Sequence, residues 1–148
     1  MIHIVCVGNL KEKYLEDAAS EYIKRIKKFD KVEIVEIKES ILSPFNLALA
    51  EEAKEINKKL KGFVIKMDIK GNELDSVGFA KKIENIKLNG NSDITFVIGS
   101  SNGLDKSIPS NYNMSFSPMT FPHQLARIML LEQIYRAFSI LNNTPYHK

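Results

Sequence analysis

The opening residues constrain the fold more than any other stretch of this chain. Ile2-His3-Ile4-Val5-Cys6-Val7 is a nearly unbroken apolar run that stops at Gly8. The run has the length of a strand, and a strand this apolar is buried on both faces, as in parallel sheets. Parallel neighbours cannot be joined by a tight hairpin; they need crossover connections, usually helical. The next segment supplies one. Leu15, Ala18, Ala19, Tyr22, Ile23 and Ile26 recur at helical spacing.

The alternation then continues. Val32, Ile34, Val35 and Ile37 read as a second strand. Ser43-Pro44 reads as a helix start, with a capping hydroxyl and a proline in the first turn. Phe45, Leu49, Ala53, Ile56 and Leu60 make the following stripe, closed by Gly62. Phe63 to Ile69 is a third strand and Gly71-Asn72 a turn. Val77, Ala80, Ile83 and Ile86 form a third helical stripe, ending near Asn89-Gly90. Ile94 to Ile98 and Tyr112 to Phe116 complete the strands. Pro122 opens a last helix that runs to about Leu141, where Asn142-Asn143 and Pro145 stop it. This pattern predicts one α/β domain over residues 1–148, with a mostly parallel sheet of five to six strands flanked by helices.

Bulk properties narrow the function. At 148 residues and 44% hydrophobic content the chain can bury one core, not comfortably two. Its 21 basic and 18 acidic residues leave a net charge of +3. Lysines cluster at Lys24, Lys27, Lys28 and Lys31 beside Arg25, and again at Lys54, Lys58, Lys59 and Lys61. Such clusters are either solvated helix faces or phosphate-attracting surfaces, and strong salt dependence marks the second. Cys6 is the one cysteine and reads as a small buried hydrophobe. No intrachain disulfide is possible, which suits a reducing compartment. No signal-peptide pattern is present, and no apolar run approaches the roughly 20 residues that span a bilayer. The expectation is a soluble, cytoplasmic protein. His3, His123 and His147 lack zinc-ligand spacing, so no metal is expected. There is no G-x-G-x-x-G, no P-loop and no nucleophile elbow.

The last helix is apolar nearly all round, from Leu125 through Ile128, Met129, Leu130, Leu131 and Ile134 to Phe138 and Leu141. A surface helix shows one stripe, so this one must be covered on more than one side. Either it lies inside the monomer or a two-fold copy of the chain covers it; a homodimer is the expectation.

Two strand tips carry the candidate site. Phe96-Val97-Ile98 ends in Gly99-Ser100-Ser101-Asn102-Gly103, and the fifth strand runs into Ser115-Phe116-Ser117-Pro118-Met119-Thr120-Phe121-Pro122-His123. Ligands of open α/β sheets sit at the carboxyl ends of strands. Backbone donors and acceptors beside two aromatic rings could read an adenine. The Pro145-Tyr146-His147-Lys148 tail offers groups that handle protons.

These segments match a family. Ile98-Gly99-x-Ser101-Asn102-Gly103-Leu104, Ser115-Phe116-Ser117-x-Met119-Thr120-Phe121-Pro122-His123-Gln124, Glu132-Gln133-x-Tyr135-Arg136-Ala137-Phe138 and Tyr146-His147-Lys148 resemble the bacterial ribosomal RNA methyltransferases that act on N3 of a pseudouridine, in the SPOUT superfamily. The opening Val5-x-Val7-Gly8-x-Leu10-Lys11-Glu12-Lys13-Tyr14 is similar too. Ser100 departs from the family, which often has a second glycine there. The resemblance implies a carboxyl-terminal deep trefoil knot, an exception to un-knotted topology. It implies S-adenosylmethionine held by Met67, Gly99, Phe116, Ser117, Pro118, Met119, Thr120 and Phe121. It also implies a homodimer acting on 23S ribosomal RNA in the ribosome. Catalysis would fall to His147 as general base, with Tyr146, Arg136 and His123 around the reacting groups. The competing assignments are another RNA uridine as target, or a dimeric ribosome-binding module without catalysis. Without the resemblance, Arg136 is an ion-pair partner of Glu132 four residues earlier.

Overall fold

The computed structural model describes residues 1–148. Its elements run β1 (Ile2–Val7), α1 (Lys13–Ile26), β2 (Val32–Ile37), α2 (Phe45–Asn57), β3 (Phe63–Glu73), α3 (Ser76–Leu88), β4 (Ile94–Ile98), β5 (Tyr112–Ser115) and α4 (His123–Leu141). The five strands form one sheet in the order β2-β1-β4-β3-β5, and every neighbouring pair is parallel.

The apolar runs of β1 and β4 take the two inner positions, with every residue buried. Strand side chains alternate between faces, and the two cores follow that alternation. Ile2, Ile4 and Cys6 of β1 join Ile94, Phe96 and Ile98 of β4 in the larger core, with residues of α1, α3 and α4. Val5, Val7 and Val97 point the other way, onto Ala53 and Ile56 of α2. Three helices therefore cover one face of the sheet and one helix the other. A side chain such as Phe96, wholly buried, contributes roughly 1.5–3 kcal/mol relative to exposure. No helix is long and apolar enough to cross a membrane.

Three details differ from the sequence-based expectation. First, β3 does not stop at Ile69. It extends to Glu73 through a register shift between Met67 and Asn72, so Gly71-Asn72 lies inside a bulged strand rather than in a turn. Asn72 recovers its pairing opposite Met114 of β5. Second, α2 begins after Pro44, which is itself the N-cap, and no side chain caps the helix. Its buried stripe is Ala48, Glu52, Ala53 and Ile56, while Phe45 is exposed and Leu60 lies past the helix end. The buried Glu52 accepts the Ser40 N–H at 2.9 Å and so ties the β2–α2 loop to the helix. Third, one protomer covers more of α4 than its composition implied. Leu130, Leu131, Ile134 and Ala137 are fully buried, against α1 and α3. Leu125 remains 44% exposed, and Ile128 and Met129 are half-buried.

Cys6 is buried as expected, and burial pushes its thiol up to about 11 despite the nearby Arg127 charge. It is no nucleophile at neutral pH.

Ion pairs close the end of the sheet where the strands begin. The buried His3 ring lies between Glu33 (3.0 Å) and Asp93 (2.9 Å). Asp30 receives Lys87 and the amino terminus. Hydrogen bonding to His3 holds the Asp93 carboxyl below its ordinary range. For Asp30, burial alone would raise the pKa, but the Lys87 hydrogen bond and charge outweigh it and the net shift is downward. A depressed carboxylate stabilises the fold above its unfolded pKa, and that stability is lost as pH falls through the folded value. Thermal stability should therefore hold at neutral pH and drop below about pH 4. Replacing both with asparagine (Asp30→Asn, Asp93→Asn) should lower the Tm at pH 7 and flatten the acid limb of a calorimetric pH series.

Candidate functional site

The polar chemistry foreseen in the last third of the chain falls into two groups, one at each end of α4. His123 is its first residue and Arg136 lies thirteen residues later, about 20 Å along the helix at 1.5 Å per residue. Within one protomer they cannot act on the same atom.

At the carboxyl-terminal end, Glu132 is the hub. Its Oε1 accepts from Arg136 Nε at 2.9 Å and Nη2 at 2.5 Å. The Tyr146 hydroxyl donates to the same oxygen at 3.2 Å. Gln133 Nε2 donates to Oε2 at 3.0 Å. Arg136 also lies 4.8 Å from the centre of the Tyr146 ring and 3.1 Å, through Nη1, from His147 Nδ1. A guanidinium can only donate. His147 Nδ1 therefore accepts, and the proton of the neutral ring sits on Nε2. Burial, the Glu132 charge and the neighbouring Tyr22 push the Tyr146 hydroxyl up to about 12. It remains a protonated donor at any physiological pH. Tyr146 packs edge-on against Tyr135 at 4.6 Å, and Arg25 of α1 sits over both Tyr22 and Tyr135 at 5.4 and 5.6 Å.

Arg136, Tyr146 and His147 are thus brought together as foreseen. The ion pair with Glu132, offered as the alternative role for Arg136, coexists with that arrangement. Tyr22 and Arg25 were not foreseen. They lie more than a hundred residues away in sequence, and no local pattern signals their contact with the tail.

A cavity of about 580 Å³ adjoins this network, within the range of small-molecule sites. Phe116 and Phe121 line it, together with Phe79, Met129, Ser76 and Glu132. Met67, Gly99, Ser117, Pro118, Met119 and Thr120 do not. Met67 is half-buried on β3, packed against the larger core. Residues 115–119 are folded by their own hydroxyls: Ser115 Oγ donates to the Ser117 carbonyl at 2.9 Å, and Ser117 Oγ accepts the Met119 N–H at 3.0 Å. The N–H and C=O of Thr120 and Phe121 have no partner in the protein, so they are free to meet a ligand. Met119 is 71% exposed.

At the amino-terminal end of α4, His123 Nε2 approaches Gly8 at the tip of β1, 3.5 Å from where a Cβ would stand. Arg127, one turn on, is buried and donates to Glu36 Oε2 at 2.8 Å and to the Gly8 carbonyl at 3.0 Å. Arg127 was not foreseen; an arginine in an apolar helix gives no sign of which strand tip it reaches. The Gly99–Gly103 turn closes on itself. A Cβ at Gly99 would stand 2.3 Å from the Gly103 carbonyl oxygen. The turn therefore already requires glycine at 99, whatever else approaches it. Ser100 is accommodated: it is buried, and its Oγ accepts the Asn102 N–H at 3.3 Å. No group of three or more metal-ligating side chains is present.

A family model described as "Predicted SPOUT methyltransferase" matches residues 1–147. The chain is 50% identical over 157 residues to a protein of Methanococcus maripaludis.

 A protein of Clostridium botulinum is likewise 50% identical, over 158 residues, and each of these matches covers 99% of both chains. A Ruminiclostridium cellulolyticum protein is 47% identical over 158 residues, again 99% of both chains. The Clostridium and Ruminiclostridium proteins are named ribosomal RNA large subunit methyltransferase H.

Gly99→Ala should destabilise the fold by roughly 1–3 kcal/mol, because its methyl meets backbone rather than a flexible side chain. A urea titration measures this without any ligand.

Proposed function

Because this chain belongs to the SPOUT methyltransferase family, we propose that it methylates N3 of a pseudouridine in large-subunit ribosomal RNA, using S-adenosylmethionine, as a homodimer. The observation that carries this reading is the full-length similarity to proteins named for that ribosomal subunit. The threaded carboxyl-terminal crossing implied by the resemblance is part of the same proposal.

The cavity chemistry fits the cofactor. Phe116 and Phe121 offer apolar faces for an adenine ring. The unpaired backbone groups of Thr120 and Phe121 can read its edge. The resemblance also implies cofactor contacts from Met67, Gly99 and residues 117–120, which lie outside this cavity. When bound, the cofactor supplies a methyl group on a sulfonium, already a strong electrophile.

The protein's task is to free the nucleophile. An imide N3 carries a proton, and its lone pair appears only when that proton leaves. In the resting tail Arg136 occupies His147 Nδ1. If Arg136 moves its Nη1 donor to a carbonyl oxygen of the base, two things happen together. The guanidinium stabilises the charge that develops on that oxygen, and Nδ1 is left free to accept the N3 proton. Glu132 keeps Arg136 in reach through the other two nitrogens. Tyr146, held as a protonated donor, positions the tail and does not compete as a base.

His123 and the tail lie at opposite ends of α4. A two-fold copy could lay the tail of one protomer over the cofactor pocket of the other, whose wall includes the partly open Leu125, Ile128 and Met129.

His147→Ala should lower kcat by roughly 10²–10⁴ while leaving S-adenosylmethionine affinity intact by calorimetry. A loss under tenfold would assign the proton to another group. Nucleoside mass spectrometry of ribosomal RNA from cells with and without the gene tests the substrate. Loss of a methylated nucleoside other than N3-methylpseudouridine would redirect the reading to a different uridine.

A further inference from the structure

The two lysine clusters look alike in sequence, but the fold places them in opposite electrostatic settings. Just past the end of α2, Lys58 is paired with Glu55 at 2.9 Å, while Lys54, Lys59 and Lys61 enter no ion pair. Lys59 lines a groove with Glu36, Glu39, Glu51, Glu52 and Glu55. Phosphate is repelled from such a surface.

At the end of α1 the acids are already engaged. Glu21 pairs with Arg25 at 3.0 Å. Asp30 takes Lys87 and the amino terminus, the latter at 3.5 Å. Lys24, Lys27, Lys28 and Lys31 are exposed and enter no ion pair. A helix dipole favours cations in the last turn, which accounts for Lys24. It does not account for Lys28 and Lys31, which lie past the last residue of α1. The strip also has a direction. Arg25, in its midst, turns inward over Tyr22 and Tyr135, and Tyr135 touches Tyr146 of the tail. Unpaired lysine charge thus flanks Arg25, whose contact with Tyr135 reaches the edge of the proton-handling network.

We propose that Lys24, Lys27, Lys28 and Lys31 form the phosphate track that holds the RNA backbone and delivers the target base to the Arg136–Tyr146–His147 tail. This rests on the methyltransferase reading above. The α2 lysines take no part in it.

The test compares two variants of equal charge change. One carries Lys24→Glu, Lys27→Glu and Lys28→Glu; the other carries Lys54→Glu, Lys58→Glu and Lys61→Glu. Binding to a fluorescently labelled large-subunit RNA stem-loop is followed by anisotropy across a potassium chloride series. Methyl transfer to purified large ribosomal subunits is measured in parallel, and cofactor affinity is checked by calorimetry. The α1 variant should bind RNA about 10- to 100-fold more weakly at low salt. Its log–log salt slope should be shallower by about 2, at roughly 0.7 per lost single-strand phosphate contact. Its loss of kcat/KM should appear in KM, with cofactor affinity unchanged. The α2 variant should stay within about threefold of wild type throughout, since only non-local charge has changed. Equal losses in both variants, or an unchanged slope in the α1 variant, would overturn the track. If wild type transfers no methyl group yet the α1 variant alone loses RNA binding, the enzymatic reading fails and the track stands.

Discussion

The structure depends on burying β1 and β4 on both faces. Every residue of these two strands is buried, so helices must cover both sides of the sheet. Parallel pairing needs crossover connections, usually helical, and the chain uses α1 and α3 on one face and α2 on the other. What remains is α4, which follows β5 and packs beside α1 and α3. That placement turns α4 into a rod. One end is pinned at the strand tips by Arg127 on Gly8 and Glu36, and the other carries the tail network.

The tail network is held by one half-buried carboxylate. Glu132 binds Arg136 and Tyr146 on one oxygen. Gln133 donates to the other Glu132 oxygen, so both carboxylate oxygens are engaged. The tail gains order from this arrangement, and order in a terminal segment is otherwise rare. Charge also separates the lysine clusters: the acids beside one are already paired, while a groove lined by five glutamates borders the other.

Much of this was legible in the residues. The run of β1, the stripe of α3 and the length of α4 follow from periods of two and 3.6, which local sequence records directly. The end of β3 was not legible. Gly71-Asn72 has turn composition, but pairing with Asn113 and Met114 of β5 carries the strand through it as a bulge. The start of α2 misled for a related reason: Ser43-Pro44 has cap chemistry, yet the polar contacts that hold this corner are Glu51 and Glu52 on Ser40.

By itself the sequence determined the strand and helix periods, the buried cysteine, the apolar character of α4 and the motifs that mark the family. These depend on neighbours along the chain, and each residue carries its own part of the signal. Only the tertiary structure decided that His123 faces Gly8, that Arg127 reaches β1 and β2, that Arg25 and Tyr22 join the tail, and that one lysine cluster borders a groove lined by glutamates while the other lies beside Arg25. Those outcomes depend on distances between residues far apart in the chain, and such distances exist only after the sheet has brought the helices together.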